Sequence, residues 1–189
     1  MWRESTQWVI QERRQSNLNY SLEKTKDYMV RHKERISSSE WLEHVRHRTE
    51  WFLNWFSEYG SINDNWNILH VGSGADGEIN FISIGHRFAI DPLTTFYKEH
   101  FQDILNNNVQ YLDGRGENLP FEDNSLDLVI SYNSLEYAED PIKVLSEISR
   151  VMKDSGYFYL GVNVKSVYGH SVFWLIKNLI KQTDHSHNY

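Results

Sequence analysis

Residues 68–77 read Ile-Leu-His-Val-Gly-Ser-Gly-Ala-Asp-Gly, a short apolar run that leads directly into a cluster of glycines. The apolar run has the length and composition of a buried β-strand. Glycines directly after a strand let the backbone turn sharply and let a ligand lie close against the main chain. The pattern therefore predicts either a ligand-binding loop between a strand and a helix or a tight turn with a purely structural role.

Four more apolar runs follow, at residues 88–91, 109–112, 126–131 and 157–162. Helical patterns separate them: a short one after Gly77, one near Thr94 to Leu105, and one from Pro141 to Met152, with Asp140 placed as its N-cap. Buried-type strands that alternate with helices indicate a parallel sheet. We therefore expect an α/β fold with a Rossmann-like, doubly wound, mostly parallel sheet and helices on both faces.

The N-terminal third of the chain has a different texture, being polar and free of proline. Its clearest helix runs from Glu40 to about Tyr59, with Ser37 and Glu40 at capping-box spacing and Gly60 at its end. The chain is therefore expected to have three parts. They are an N-terminal helical extension at residues 1–62, a ligand-binding core at residues 63–165 and a C-terminal helix and tail at residues 166–189.

Composition excludes several classes of function. The 189 residues carry 26 acidic and 19 basic side chains, for a formal net charge of −7, which disfavours binding to nucleic acid. Cysteine is absent, and no histidine–carboxylate cluster has metal-ligand spacing, so no metal site is expected. The longest apolar stretch, Val172 to Ile176, is far shorter than the roughly 20 residues of a membrane span. A soluble cytoplasmic protein without an integral membrane segment is predicted.

The second strand ends in an acidic residue, Asp91, followed by Pro92. A carboxylate at this place can accept hydrogen bonds from both ribose hydroxyls of an adenosine-containing ligand. It can equally cap the helix that follows. Gly72, Gly74 and Gly77 also fit the G-x-G-x-x-G spacing of a dinucleotide site, so the glycines and Asp91 together leave NAD and S-adenosyl-L-methionine (SAM) both open.

Three later segments carry a more specific pattern. Residues 114–131 read G-R-G-E-N-L-P-F-E-D-N-S-L-D-L-V-I-S, residues 133–141 read N-S-L-E-Y-A-E-D-P, and residues 145–152 read L-S-E-I-S-R-V-M. Together they resemble the class I SAM-dependent methyltransferases of the type 11, ubiquinone-biosynthesis-like group. The resemblance covers roughly residues 67–162 and implies SAM as the cofactor.

The resemblance also implies where SAM would lie. Gly72 and Gly74 would pass beneath its methionine part, Asp91 would hold the ribose hydroxyls, and Gly116 would offer its backbone N–H to the adenine. Such contacts cluster at the carboxyl ends of strands near the switch point of the sheet. The full set of expected cofactor contacts is His70, Gly72, Ser73, Gly74, Asp91, Pro92, Leu93, Gly116, Glu117 and Ser131.

Two positions depart from the family pattern. His70 stands where an acidic residue usually helps to hold the SAM ammonium group, and Arg115 stands where many relatives have an aspartate that reaches the adenine amine. A neutral histidine can still accept one hydrogen bond, but it lacks the carboxylate charge. These departures leave a second hypothesis open, namely a SAM-binding module that has lost turnover.

The catalytic residue and the methyl acceptor are weakly encoded. SAM carries an activated methyl group, so the protein mainly orients the reactants and deprotonates the acceptor. Candidates are Asn133, Glu136, Tyr137, His185 and His187, each of which also has an ordinary packing or surface explanation. The resemblance implies a small or medium-sized acceptor, with a sugar or lipid-linked hydroxyl as one guess. An NAD-dependent reductase is disfavoured by the Leu119-Pro120-Phe121 run.

The C-terminal segment contains one apolar run, Val172 to Ile180, which we interpret as a helix, followed by a polar tail. Relatives close their sheet with two further strands, so the sequence predicts that the C-terminal strands are missing. The fifth strand would then expose an edge, and a homodimer through that edge is expected.

Overall fold

The computed structural model describes residues 22–163 and 171–177 of the chain. Its helices are α1 (residues 22–31), α2 (Lys33–Ile36), α3 (Ser39–Phe56), α4 (Thr94–His100) and α5 (Pro141–Val151). Its strands are β1 (Asn67–Val71), β2 (His86–Asp91), β3 (Val109–Asp113), β4 (Leu126–Tyr132), β5 (Met152–Asn163) and β6 (Ser171–Lys177). Two 3-10 turns, Glu78–Asn80 and Leu135–Tyr137, follow the ends of β1 and β4.

The strands form one sheet in the order β3-β2-β1-β4-β5-β6. The first five strands are parallel, and β6 pairs with β5 in the antiparallel direction. In register, Leu69 of β1 lies between Phe88 of β2 and Val129 of β4. The predicted α/β fold with a doubly wound, mostly parallel sheet is confirmed. The strand order reverses between β1 and β4, where sheets of this kind bind ligands.

Helices cover both faces of the sheet, because alternate residues of each strand point to opposite sides. On one face, Phe52 and Phe56 of α3 pack against strand residues that include Ile68, Leu128 and Tyr159. On the other face, α5 buries Val144, Ile148 and Val151 against Leu69, Ile90 and Val129. Since α3 belongs to the core of the sheet, a division of the chain at residue 62 stays a prediction.

Helix ends differ from the sequence prediction by a few residues. The N-cap of α3 is Ser38, not Ser37, because the Ser38 hydroxyl accepts a hydrogen bond from the backbone N–H of Trp41 at 3.2 Å. Ser37 instead caps the end of α2. The predicted cap of α5 is present, since Asp140 accepts from the backbone N–H of Lys143 at 3.1 Å.

The apolar run after β5 was wrongly interpreted as a helix. Its described part forms β6, whose backbone pairs with β5 from Val172 opposite Val162 to Lys177 opposite Tyr157. Periodicity cannot separate a short, continuously apolar helix from a strand, and sheet pairing decides in favour of the strand here. β6 therefore supplies one of the two C-terminal strands that the sequence predicted to be missing, and the expected open edge beside β5 is wrong. The homodimer stays a prediction, and His185 and His187 lie outside the described residues.

Two of the motifs quoted above form a single polar network. The guanidinium of Arg150 donates to the carbonyls of Leu119 and Phe121 at 2.9 and 2.8 Å and pairs with Asp123 at 2.7 Å. Glu147 pairs with Arg150 at 2.8 Å and accepts from the N–H of Leu119 at 2.8 Å. These bonds fix the segment between β3 and β4 on α5.

In residues 22–163, no helix is both long and apolar enough to cross a membrane.

Candidate functional site

The glycine loop after β1 adopts the left-handed backbone conformation at two positions, Gly72 with φ +67° and Gly74 with φ +62°. Only glycine enters this region without a steric cost. A Cβ atom at Gly72 would also lie 2.3 Å from Cβ of Ser134, so the loop and the end of β4 are in close contact. The N–H of Gly72 donates to the carbonyl of Ile90 at 2.8 Å, which holds the loop beside β2.

Asp91, at the end of β2, organises the loop. One carboxylate oxygen accepts from the N–H of Gly74 at 3.1 Å and the other from the N–H of Leu93 at 2.9 Å. The Tyr97 hydroxyl also bonds to this carboxylate. Burial raises the pKa of Asp91, while the two backbone N–H groups act in the opposite direction. The carboxylate is therefore held in a fixed orientation, with both of its oxygens engaged by protein donors.

A cavity of about 690 Å³ lies above the glycine loop and Asp91. It gathers most of the residues that the sequence selected from four separate segments. Those on its wall are Gly72, Gly74, Asp91, Pro92, Leu93, Gly116, Glu117, Asn133 and Tyr137. They meet because the carboxyl ends of parallel strands lie along the same edge of the sheet.

His70 lies behind the glycine loop and not on the cavity wall. Its ring is 1% exposed, its Nε2 is 3.7 Å from Glu78, and its Cε1 is 2.9 Å from the position of a Cβ at Gly77. Burial, and then the charge of Arg48, lower the pKa of His70 to about 3, so the ring is neutral. Arg48 in turn pairs with the buried Glu78 at 2.8 Å. The contact between His70 and the SAM ammonium group remains a prediction. The buried position of the ring, away from the cavity wall, does not support it.

The remaining cofactor candidates support the loop from behind. The Ser73 hydroxyl donates to the carbonyl of Gly74 at 3.1 Å. Ser131 is fully buried, with its hydroxyl 2.9 Å from that of Ser134, which donates to the carbonyl of Val71 at 2.9 Å. Ser134 itself lines the cavity and was missed in the sequence. These serines link the end of β4 to the glycine loop.

Of the three catalytic candidates within the described residues, two line the cavity. Asn133 does so with a left-handed backbone, φ +49°, a conformation that asparagine tolerates better than most residues. Tyr137 lines it with 70% of its surface exposed. Glu136 is exposed and stands outside the group of lining residues. The wall beyond β4 therefore offers an amide and a phenol.

One wall of the cavity comes from α1, which the sequence did not assign to the site. Leu22, Thr25 and Met29 recur at helical spacing along it, and Tyr28 adjoins them. This spacing was visible in the sequence, but it does not say which surface the helix covers. Tyr97 of α4 is another lining residue that was missed. Among the described residues, no group of three or more potential metal ligands occurs.

Part of the chain is similar in sequence to known proteins. Residues 69–160 match the family model for the methyltransferase domain of type 11. A sarcosine/dimethylglycine N-methyltransferase from Aphanothece halophytica is 30% identical over 105 residues, which are 50% of this chain and 38% of that protein. A protein of the same name from Halorhodospira halochloris is 26% identical over 48% of this chain and 35% of its own length. The chain thus spans well under half the length of these two relatives.

Solved structures share the fold. A SAM-dependent methyltransferase from Thermotoga maritima superposes with a TM-score of 0.54 at 22% identity, over 75% of this chain and 62% of that one. A protein from Methanococcus maripaludis assigned to the same class gives 0.58 at 24% identity, over 70% and 62% of the two chains. Residues 69–160 of this chain are therefore similar in sequence to a methyltransferase domain, and the chain shares the fold of SAM-dependent methyltransferases, which supports SAM as the cofactor.

Proposed function

We propose that this chain binds SAM in the cavity above Gly72 and Asp91 and transfers its methyl group to a small or medium-sized acceptor. The observation that carries the proposal is the fixed Asp91 carboxylate on the same cavity wall as the glycine loop. The two backbone N–H groups and the Tyr97 hydroxyl occupy three of the roughly four acceptor positions of the carboxylate, so at least one position remains for a ribose hydroxyl.

The methyl group on the sulfonium of SAM is already activated, so the protein residues need only orient cofactor and acceptor. In this arrangement the left-handed Gly72 and Gly74 give the methionine part close access to the main chain. Asp91 fixes the ribose. Asn133 and Tyr137, which line the cavity after the end of β4, are then the groups left to contact the acceptor.

The groups around the cavity favour one chemical class of acceptor over another. A hydroxyl acceptor, such as the sugar or lipid-linked hydroxyl predicted from the sequence, must lose its proton to a base, whereas a neutral amine attacks with its own lone pair. Within residues 22–163, no histidine lines the cavity. Both curated relatives named above are N-methyltransferases. An amine acceptor is therefore the better supported class.

A second candidate function is SAM binding without turnover. It is favoured by His70, which is buried away from the cavity, and by Arg115, which lines the cavity at a position where the family resemblance leads one to expect an acidic residue. An assay of methyl transfer to amines and hydroxyls, monitored through the formation of S-adenosylhomocysteine, separates the two functions. Tight binding of SAM without methyl transfer to any acceptor would favour the binding module.

Binding is tested by calorimetry with SAM, S-adenosylhomocysteine and NADH. Binding of NADH in place of SAM would overturn the proposal. The role of Asp91 is tested with the 2′-deoxy form of S-adenosylhomocysteine. In the wild type, loss of that hydroxyl should weaken binding on the order of tenfold, the cost of one charge-assisted hydrogen bond.

The same comparison in Asp91→Asn separates a ribose contact from a mere loosening of the loop. The 2′-hydroxyl should matter little in this variant, whereas it should keep its full effect in Asp103→Asn, a matched change at an exposed position. An equal effect of the hydroxyl in Asp91→Asn and in the wild type would refute the ribose assignment even if SAM binds.

A further inference from the structure

We propose that Glu139, oriented by Arg115, accepts a hydrogen bond from the exocyclic amine of adenine and makes the cavity selective for an adenosyl over an inosyl group. This inference rests on the proposed function, because it concerns the base-binding end of the same cavity. The contact with the adenine amine, which the family resemblance implies for an acidic residue at position 115, is thereby assigned to a residue on a different segment.

The strand order fixes which end of the cavity receives the base. The glycine loop ends β1, Asp91 ends β2, and β3 lies beyond β2. A nucleoside with its ribose at Asp91 and its methionine part at the loop must extend its base toward β3. The wall there is built from Leu93 and from Gly114 and Gly116, whose added Cβ atoms would lie 2.7 Å from Ile90 and 2.9 Å from Val71. These glycines therefore present main chain to the base.

Arg115, Glu117 and Glu139 are charged residues of the cavity wall close to Gly114 and Gly116, and Lys24 of α1 lines the cavity as well. Glu117 is committed to the protein, because its Oε1 accepts from the N–H of Glu139 at 2.9 Å and of Asp140 at 3.2 Å. These bonds hold the segment that carries Glu139. The side chain of Glu139 approaches Arg115 with one oxygen, Oε2, which is 3.4 Å from Nη1.

Of Arg115 and Glu139, only Glu139 can accept a hydrogen bond from the adenine amine. The exocyclic amine of adenine is a donor, and an arginine has no acceptor to offer it. The carboxylate of Glu139 is an acceptor, and Arg115 restricts its orientation. The two side chains are 35% and 27% exposed, so water competes and the selectivity should be moderate. Hypoxanthine carries a carbonyl in place of the amine, which would face the carboxylate with no proton between them.

The test compares the binding of S-adenosylhomocysteine and its deaminated form, S-inosylhomocysteine, by calorimetry. The wild type should prefer the adenosyl compound on the order of tenfold. In Glu139→Gln this preference should fall to near unity, because a glutamine amide can accept from adenine or donate to hypoxanthine. Glu122→Gln, the same change at an exposed position outside the cavity, should keep the wild-type ratio.

The outcomes separate this inference from the proposed function. If the wild type binds neither compound, the SAM site itself is refuted. If the wild type binds both compounds equally, or if Glu139→Gln keeps the full preference, the SAM site stands and the role of Glu139 is overturned. If both variants have the melting temperature of the wild type, a change in the ratio of the two dissociation constants comes from the lost contact and not from a change in the fold.

Discussion

The indole N–H of Trp41 donates a hydrogen bond to Oδ2 of Asp76 over 2.6 Å and so joins the first turn of α3 to the glycine loop. The guanidinium of Arg35 lies 4.9 Å from the centre of the same indole ring and donates to the Tyr28 hydroxyl at 2.7 Å. Tyr28 lines the cavity from α1. The contacts therefore connect the α1 wall of the cavity, through Arg35 and Trp41, with the loop on its floor.

Trp41→Phe should weaken cofactor binding without unfolding the chain. The change keeps most of the apolar surface but removes the donor to Asp76, at a cost of about 1–2 kcal/mol for a hydrogen bond to a charged group. Part of this cost should appear in the dissociation constant of S-adenosylhomocysteine, because the loop loses one of its restraints. Trp51→Phe, on the exposed side of the same helix, is the matched control. Equal binding by both variants would contradict a role for Trp41 in loop geometry.

The buried His70 predicts a loss of stability as the pH falls below neutrality. Its pKa in the folded chain is about 3, against 6.5 for an unperturbed histidine, because burial disfavours the charged ring. The unfolded chain therefore binds a proton that the folded chain does not, over the range between these two values. The contribution of neutral His70 to the free energy of unfolding is fully present above pH 6.5. Between pH 6.5 and about 3 it decreases by up to about 1.4 kcal/mol for each unit that the pH falls.

His70→Leu should remove this contribution. The free energy of unfolding, measured in urea at pH 7 and at pH 5, should fall less between the two values in the variant than in the wild type. Taking the difference between the two proteins cancels the other titrating groups, including the buried Glu78, whose pKa burial raises. Parallel curves for wild type and variant would show that His70 is protonated in the folded chain.

Much of the fold could be predicted because its signals are local. Short apolar runs, the N-cap Asp140 with Pro141 behind it, and the glycines after β1 each specify their own element. The proximity of Asp91 to the glycine loop then follows from the order of the strands, because the carboxyl ends of neighbouring parallel strands lie at the same edge of the sheet. The run that forms β6 was misread because pairing with β5, and not its own periodicity, decides its structure.

The parts of the site that escaped prediction depend on contacts between distant segments. Trp41 meets Asp76 across 35 residues of chain, and Arg115 meets Glu139 across 24. No spacing rule relates such positions, since the segments that carry them could pack in several ways. His70 illustrates the converse case: its position in the motif suggested a ligand contact, but its side chain points to the α3 side of the sheet, where Arg48 and Glu78 surround it.

The pair of Glu147 and Arg150 predicts a second, more acidic limb of the stability profile. The hydrogen bond from Arg150 lowers the pKa of Glu147 below its usual value near 4.5. A carboxylate with a lowered pKa stabilises the fold fully above the unfolded value and loses that effect as the pH falls through the folded one. Glu147→Gln should therefore cost about 1–2 kcal/mol at pH 7, where the charged bonds to Arg150 and the Leu119 N–H are intact.

The cost of this substitution should shrink as the pH falls from the unperturbed value of 4.5 through the lowered pKa of the folded carboxylate, because protonation leaves the wild-type side chain neutral, like glutamine. Urea unfolding of the wild type, Glu147→Gln and the exposed control Glu122→Gln at pH 7 and pH 3.5 measures it. The control should match the wild type at both values. A cost for Glu147→Gln that is the same at the two pH values would mean that the shape of the side chain, and not its charge, holds the Leu119 to Phe121 segment on α5.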